Sequence, residues 1–161
     1  MRKGADFAYT GPMLLADEVD TEHLGRAIAE RLRPGEVVLL YGPLGAGKST
    51  LARALIRALT SDDEEVPSPT FTLVQTYPSG SFPIAHFDLY RLKLPAELVE
   101  IGLDEALSDG AAIVEWPERL GEALPPDRLA IHLAPADSPL ARSARIEGFG
   151  AWRGRDRFER T

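Results

Sequence analysis

The stretch Gly42-Pro43-Leu44-Gly45-Ala46-Gly47-Lys48-Ser49 decides the fold. It meets GxxxxGK[ST] at every defined position, a pattern that carries chemistry only when a strand precedes it and a helix follows. Both neighbours are present. Val37 to Tyr41 is the longest apolar run of the chain, the pattern of a parallel strand covered on both faces, so a strand is expected over 36–41. From Ser49 to Leu59, the residues Leu51, Ala54, Leu55 and Ala58 fall on one helical face. Glycines let backbone amides turn inward on a phosphate without a Cβ clash, and a helix N-terminus adds partial positive charge. Lys48 is then placed to reach β- and γ-phosphates, and the Ser49 hydroxyl is suited to Mg2+. The expected nucleotide-binding residues are therefore Gly42, Leu44, Gly45, Ala46, Gly47, Lys48, Ser49 and Thr50. No Asn-Lys-x-Asp guanine-reading motif occurs, which favours ATP over GTP.

Working outward, Met13 to Ala16 reads as a short strand. Leu24, Ala27, Ile28 and Leu32 recur at helical spacing behind Thr21, the expected N-cap, and Pro34-Gly35 stops that helix. Beyond the loop helix, Ser61 to Pro69 is acidic and exposed. Thr70 to Tyr77 and Phe82 to Phe87 read as strands joined by the turn Pro78-Ser79-Gly80. Pro95 to Leu107 is helical with a break at Gly102. Ala111 to Val114 is a short buried strand ending at Glu115, and Leu129 to Leu133 and Ala144 to Ile146 are two last strands. Strands alternating with helices predict an α/β, three-layer P-loop nucleotidase fold, its central sheet mostly parallel with an antiparallel hairpin element.

The 161 residues suit one domain, 1–161, with about 1–10 and 150–161 expected as partly disordered tails. Net charge is −7, which argues against a protein whose main task is to wrap nucleic acid. Cysteine is absent, excluding disulfides, zinc-thiolate sites and a Cys nucleophile. No apolar run approaches the ~20 residues of a membrane span, and the first ten residues lack a signal-peptide core, so a cytoplasmic protein is expected. Charge is uneven along the chain. From Asp127 onward seven Arg stand against five acids. Arg142, Arg145, Arg153, Arg155, Arg157 and Arg160 are candidates for touching RNA, against the plainer reading of a solvated tail.

Three further clusters sit at element ends: Ser68-Pro69-Thr70-Phe71, His86-Phe87-Asp88-Leu89-Tyr90-Arg91 and Glu115-Trp116-Pro117-Glu118. Ligands of open α/β sheets bind beyond the carboxyl ends of the strands, where Glu115 is expected. A carboxylate there stands like the metal-holding acid of P-loop nucleotidases, with Glu in place of the usual Asp. For Asp88 the plain alternative is a helix or turn cap, for His86 a packed structural residue, for Thr70 a strand start and for Trp116 a core anchor.

In this order, and on a chain this short, the loop and the three clusters resemble the TsaE (YjeE) family, over roughly residues 14–135. The resemblance implies a Mg2+-dependent ATPase of tRNA threonylcarbamoyladenosine formation. It implies TsaB and TsaD as partners, which transfer a threonylcarbamoyl group from its adenylate to N6 of adenosine 37, in tRNAs reading codons that begin with A. The ATPase does not perform that transfer, and the acidic charge agrees with tRNA being contacted only indirectly or weakly. By the same resemblance, Asp88 is an essential acid near the γ-phosphate or Mg2+, and Thr70 a switch-like residue facing that phosphate. Glu115 joins Ser49 at the metal, and Glu18 flanks the adenine. Asp88, Glu115 and Thr70 are thus the expected catalytic set. Family members more often carry Thr where this chain has Ser49, which keeps the hydroxyl. Two other classes share the loop: a P-loop small-molecule kinase, for which little length is spare for an acceptor pocket and lid, and a nucleotide-gated partner-binding module.

Overall fold

The computed structural model describes residues 12–69, 72–93 and 97–159. Its strands are β1 (Met13–Leu15), β2 (Val37–Tyr41), β3 (Val74–Tyr77), β4 (Ile84–Asp88), β5 (Ala111–Glu115), β6 (Arg128–Pro135) and β7 (Arg142–Phe149). Helices α1 (Glu18–Arg31), α2 (Lys48–Leu59), α3 (Glu97–Glu100) and α4 (Leu103–Asp109) are joined by 3-10 turns at Pro117–Leu120 and Gly150–Trp152. The seven strands form one sheet in the order β1-β7-β6-β2-β5-β4-β3. β6, β2, β5 and β4 pair in parallel, with antiparallel pairs at both margins. Five strands run one way; β7 and β3 run the other. The expected three-layer, mostly parallel sheet with its hairpin is the observed one.

Alternation along the central strands divides the core in two. Val38 and Leu40 of β2, Ile84 of β4 and Ile113 of β5 face one layer with Leu24, Ile28, Leu51 and Leu55 from α1 and α2. Val37, Leu39, Phe87, Ala112 and Val114 face the other layer with Leu103, Leu120 and Leu92. Burial on both faces is why these strands read as continuous apolar runs. The same alternation puts His86, Asp88 and Glu115 on the α2 side, because they continue the rows of Ile84 and Ile113.

Four details differ from the sequence reading. Helix α1 starts a turn early, capped by Asp17 and not Thr21: the Asp17 carboxylate accepts from the Asp20 amide at 3.0 Å, and Thr21 is buried. The first hairpin strand spans only Val74–Tyr77, because Leu73 takes a left-handed conformation (φ 66°) that turns the chain before it. The last two strands are longer than expected at both ends, eight residues each.

Residues 150–159 are not a loose tail. Trp152 is fully buried and Phe158 nearly so, both in the α1/α2-side core. Arg155 pairs with the buried Glu36 at 2.6 and 3.1 Å, and Arg31 donates to the carbonyl of Arg155 at 3.0 Å. Two aromatic anchors inside an Arg-rich segment outweigh its charge. The segments 1–11 and 160–161 lie outside the described residues.

Candidate functional site

Helix α2 begins at Lys48 directly after Gly47, and no side chain caps its N-terminus. Its first amides are thus left for a ligand, with the helix dipole behind them. Two loop glycines are dictated by geometry. Gly42 has φ 149°, and a Cβ there would come within 2.6 Å of the Leu133 carbonyl oxygen. Gly47 has φ 99°, a backbone conformation that other residues rarely adopt, and a Cβ there would lie 3.3 Å from Arg142 Nε.

The loop forms one wall of a cleft of about 440 Å³, large enough for a nucleotide. Leu44, Gly45, Gly47, Lys48, Ser49 and Thr50 line it from the loop side. Asp88 and Glu115 line the opposite wall, with Ser68, Tyr90 and Trp116. Asp88 and Glu115 are register partners across the parallel strands β4 and β5, which is why two carboxylates 27 residues apart meet at one strand end.

Each carboxylate has a defined environment. One oxygen of Glu115 lies 2.7 Å from His86 Nε2, and both residues are buried. Its other oxygen accepts from the Ser49 hydroxyl at 3.4 Å. Asp88 accepts from the Ser68 hydroxyl at 3.2 Å and from the Tyr90 amide at 3.0 Å. The capping alternative for Asp88 is therefore part of its role, yet the residue also faces the cleft. His86 is packed, and what it packs on is the Glu115 carboxylate.

Lys48 is buried. Its Nζ donates to the Gly42 carbonyl, reaches Pro43 O at 3.5 Å and stands 3.5 Å over the Trp116 ring. Burial lowers its pKa from 10.5, a shift opposed by Glu115, Glu118 and Asp88. Trp116 has a left-handed backbone (φ 59°) and tilts against Tyr90 with ring centroids 4.9 Å apart, so it belongs to the cleft and not to the deep core. Thr70 lies outside the described residues. Glu18 opens α1 on the exposed surface and is not among the residues lining the cleft. Arg142, which the sequence placed in an RNA-touching group, lines the cleft instead. No local motif marks it.

Among the described residues no three His, Cys, Asp or Glu side chains converge as a metal cage. A hydroxyl and one carboxylate oxygen side by side still fit Mg2+, which keeps several waters and takes its remaining ligands from phosphates.

A glycine-rich loop leading from a parallel strand into a helix, beside a strand ending in a carboxylate, defines a P-loop nucleotidase fold. Residues 15–144 match the family described as Threonylcarbamoyl adenosine biosynthesis protein TsaE. The chain belongs to the TsaE family. It is 39% identical over 125 residues to the tRNA threonylcarbamoyladenosine biosynthesis protein TsaE of Rickettsia felis, covering 78% of this chain and 73% of that one. The same-named protein of Streptomyces coelicolor is 41% identical over 133 residues, 79% of this chain and 89% of that one. The crystal structure of YdiB from Bacillus subtilis superposes with a TM-score of 0.71 at 28% identity, covering 87% of this chain and 86% of that one.

Proposed function

We propose that the protein is a cytoplasmic, Mg2+-dependent ATPase that supports a TsaB–TsaD complex in forming N6-threonylcarbamoyladenosine at position 37 of tRNAs, without performing the transfer itself. The pathway rests on the family and its similarly named relatives. The ATPase reading rests on one observation: Ser49 and Glu115 converge at 3.4 Å beside an uncapped helix N-terminus. No described helix is long and apolar enough to cross a membrane.

In this reading the α2 amides hold the phosphate chain, and Lys48 leaves the Gly42 carbonyl to make charge-assisted contacts with the β- and γ-phosphates. Ser49 and Glu115 would hold Mg2+, with His86 fixing the orientation of Glu115 through its second oxygen, and the bound ion would supply neutralisation of phosphate charge. Asp88 links the 61–69 loop to the cleft through Ser68, so a terminal phosphate felt by Asp88 is felt by that loop. Tyr90 and Trp116 stand together on one wall of the cleft.

Phosphate release should be weak from the protein alone and should rise with TsaB–TsaD present. Transfer of phosphate to a small-molecule acceptor would point to a kinase. Tight ATP binding with no release under either condition would point to a nucleotide-gated module.

A further inference from the structure

Four guanidinium groups gather at the end of the sheet opposite the cleft. Arg31 closes α1, Arg33 leads into β2, and Arg155 and Arg157 follow β7. With Glu30 and Gly154 they line an open recess of about 480 Å³. β7 ends at Phe149, opposite Arg128 at the start of β6, so the segment after it returns to the end where β2 begins. The phosphate loop leaves the other end of β2, five residues or roughly 16 Å away at strand rise. Arg155 and Arg157 lie beyond 15–144, the span matched by the family, so half of the basic lining is added from outside it.

The arginines divide into two pairs. Arg31 stacks 4.3 Å over the Phe158 ring and donates to the carbonyls of Arg155 and Arg157. Arg155 stacks 4.4 Å over Trp152 and pairs with Glu36. Both rings are buried, so these two guanidinium planes are held in place as walls. Arg33 and Arg157 are exposed, and among the described residues neither side chain makes an ion pair or a hydrogen bond. Glu36 is committed to Arg155, and Glu30 is the one acid on the lining, so positive charge is left over. In a chain of net charge −7 that surplus is a local reversal of sign, suited to an anionic ligand.

The kind of anion follows from what the recess lacks. It is as roomy as the nucleotide cleft, yet it has no glycine loop and no helix N-terminus to hold a free phosphate. A protein partner would need apolar anchors at the centre of its contact. The exposed large apolar side chains among the described residues are Leu14, Val19, Leu44, Tyr90 and Leu140, and none of them lines the recess. Guanidinium forks without apolar anchors suit a phosphodiester backbone.

We propose that this recess docks the phosphate backbone of tRNA, with Arg33 and Arg157 making the contacts and Arg31 and Arg155 holding the walls. The inference rests on the tRNA side of the proposed function and adds a surface to it. Because the recess and the cleft lie at opposite ends of the sheet, tRNA and nucleotide bind without competing.

Filter retention of an unmodified tRNA transcript on the full chain, over a series of salt concentrations, tests this. Wild type should bind weakly, with log K falling linearly in log salt. The pair Arg33→Gln and Arg157→Gln should bind about tenfold more weakly, with a slope shallower by roughly 1.5, two phosphate contacts' worth. Arg33→Lys with Arg157→Lys should restore most of the binding, because the charge persists. The glutamine pair should melt and bind ATP as wild type does, and Lys48→Ala should retain tRNA as wild type does. No retention by wild type at the lowest salt overturns the proposal, as does an affinity and slope in the glutamine pair equal to those of wild type. Displacement of tRNA by inorganic phosphate at constant ionic strength would make this a small-anion site and also overturns it. So does loss of TsaB–TsaD binding with tRNA retention intact, which would assign the recess to a protein partner. If the glutamine pair does not fold, each single variant should remove half of the slope change, and unchanged slopes overturn the proposal. Failure of wild type to bind ATP, with tRNA still retained through Arg33 and Arg157, would bring down the ATPase reading and leave this one standing.

Discussion

His86 Nε2 lies 2.7 Å from Glu115 Oε2, and both side chains are at least 97% buried, so neither has water to replace the other. A carboxylate stripped of its only buried partner on that side is expensive to keep. The contact leaves the second oxygen of Glu115 for Ser49.

His86→Ala should therefore cost about 3 kcal/mol of stability, read by denaturant unfolding. His86→Gln, which can still donate, should recover much of it. Glu115→Gln should lose most of the Mg2+ dependence of ATP binding, with His86 still able to hydrogen-bond the amide. An unaltered Mg2+ requirement in that variant would take Glu115 out of the metal site.

The lowered pKa of Lys48 gives a pH signature. Burial is its main cause, so free Lys48 loses its proton at a lower pH than the ordinary 10.5. Phosphate brings negative charge to Nζ and favours the protonated form again. ATP affinity should fall as pH rises through the lowered value, and binding there should take up a proton. Calorimetry in two alkaline buffers of different ionisation enthalpy measures that uptake. Lys48→Arg, whose charge persists, should show no uptake.

The C-terminal anchor can be tested apart from the cleft. Trp152→Ala empties a fully buried site and should cost about 3–5 kcal/mol. For a domain of this size that is roughly 6–20 °C in unfolding temperature. An unchanged melting curve would return 150–159 to the status of a loose tail.

Much of this was legible locally. Loop, flanking strand and helix are contiguous, and Gly42, Gly47, Lys48 and Ser49 each have a backbone or charge reason to be where they are. Glu115 was legible as a strand-end acid for the same reason. What escaped depended on pieces far apart in sequence. His86 meets Glu115 only because β4 and β5 pair in one register. Arg142 meets Gly47 only because β7 returns along β6 to the loop end of the sheet. Trp152 and Phe158 were hidden among arginines, where charge dominates composition and says nothing of which apolar residues find a core. Thr21 lost the cap to Asp17 because both are good caps, and the acidic residues before Thr21 extend the helix backward.

Asp88 separates ATP binding from ATP use. It sits across from Glu115 in register and is bonded by Ser68, which ties it to the acidic loop. Asp88→Asn keeps the shape and can still accept from Tyr90, so it should bind ATP within about tenfold of wild type, or ~1.4 kcal/mol. Hydrolysis should nevertheless be lost. Wild-type phosphate release from Asp88→Asn would make the residue structural.

The most direct measurement is multiple-turnover formation of threonylcarbamoyladenosine on tRNA by TsaB–TsaD, with threonylcarbamoyl adenylate supplied and this protein added as wild type or Lys48→Ala. The expected result is repeated turnover with wild type and ATP, and none beyond the unassisted level with Lys48→Ala or with a non-hydrolysable ATP analogue. Repeated turnover at the wild-type rate with well-folded Lys48→Ala would contradict the account, because tRNA modification would then not depend on the nucleotide at this loop.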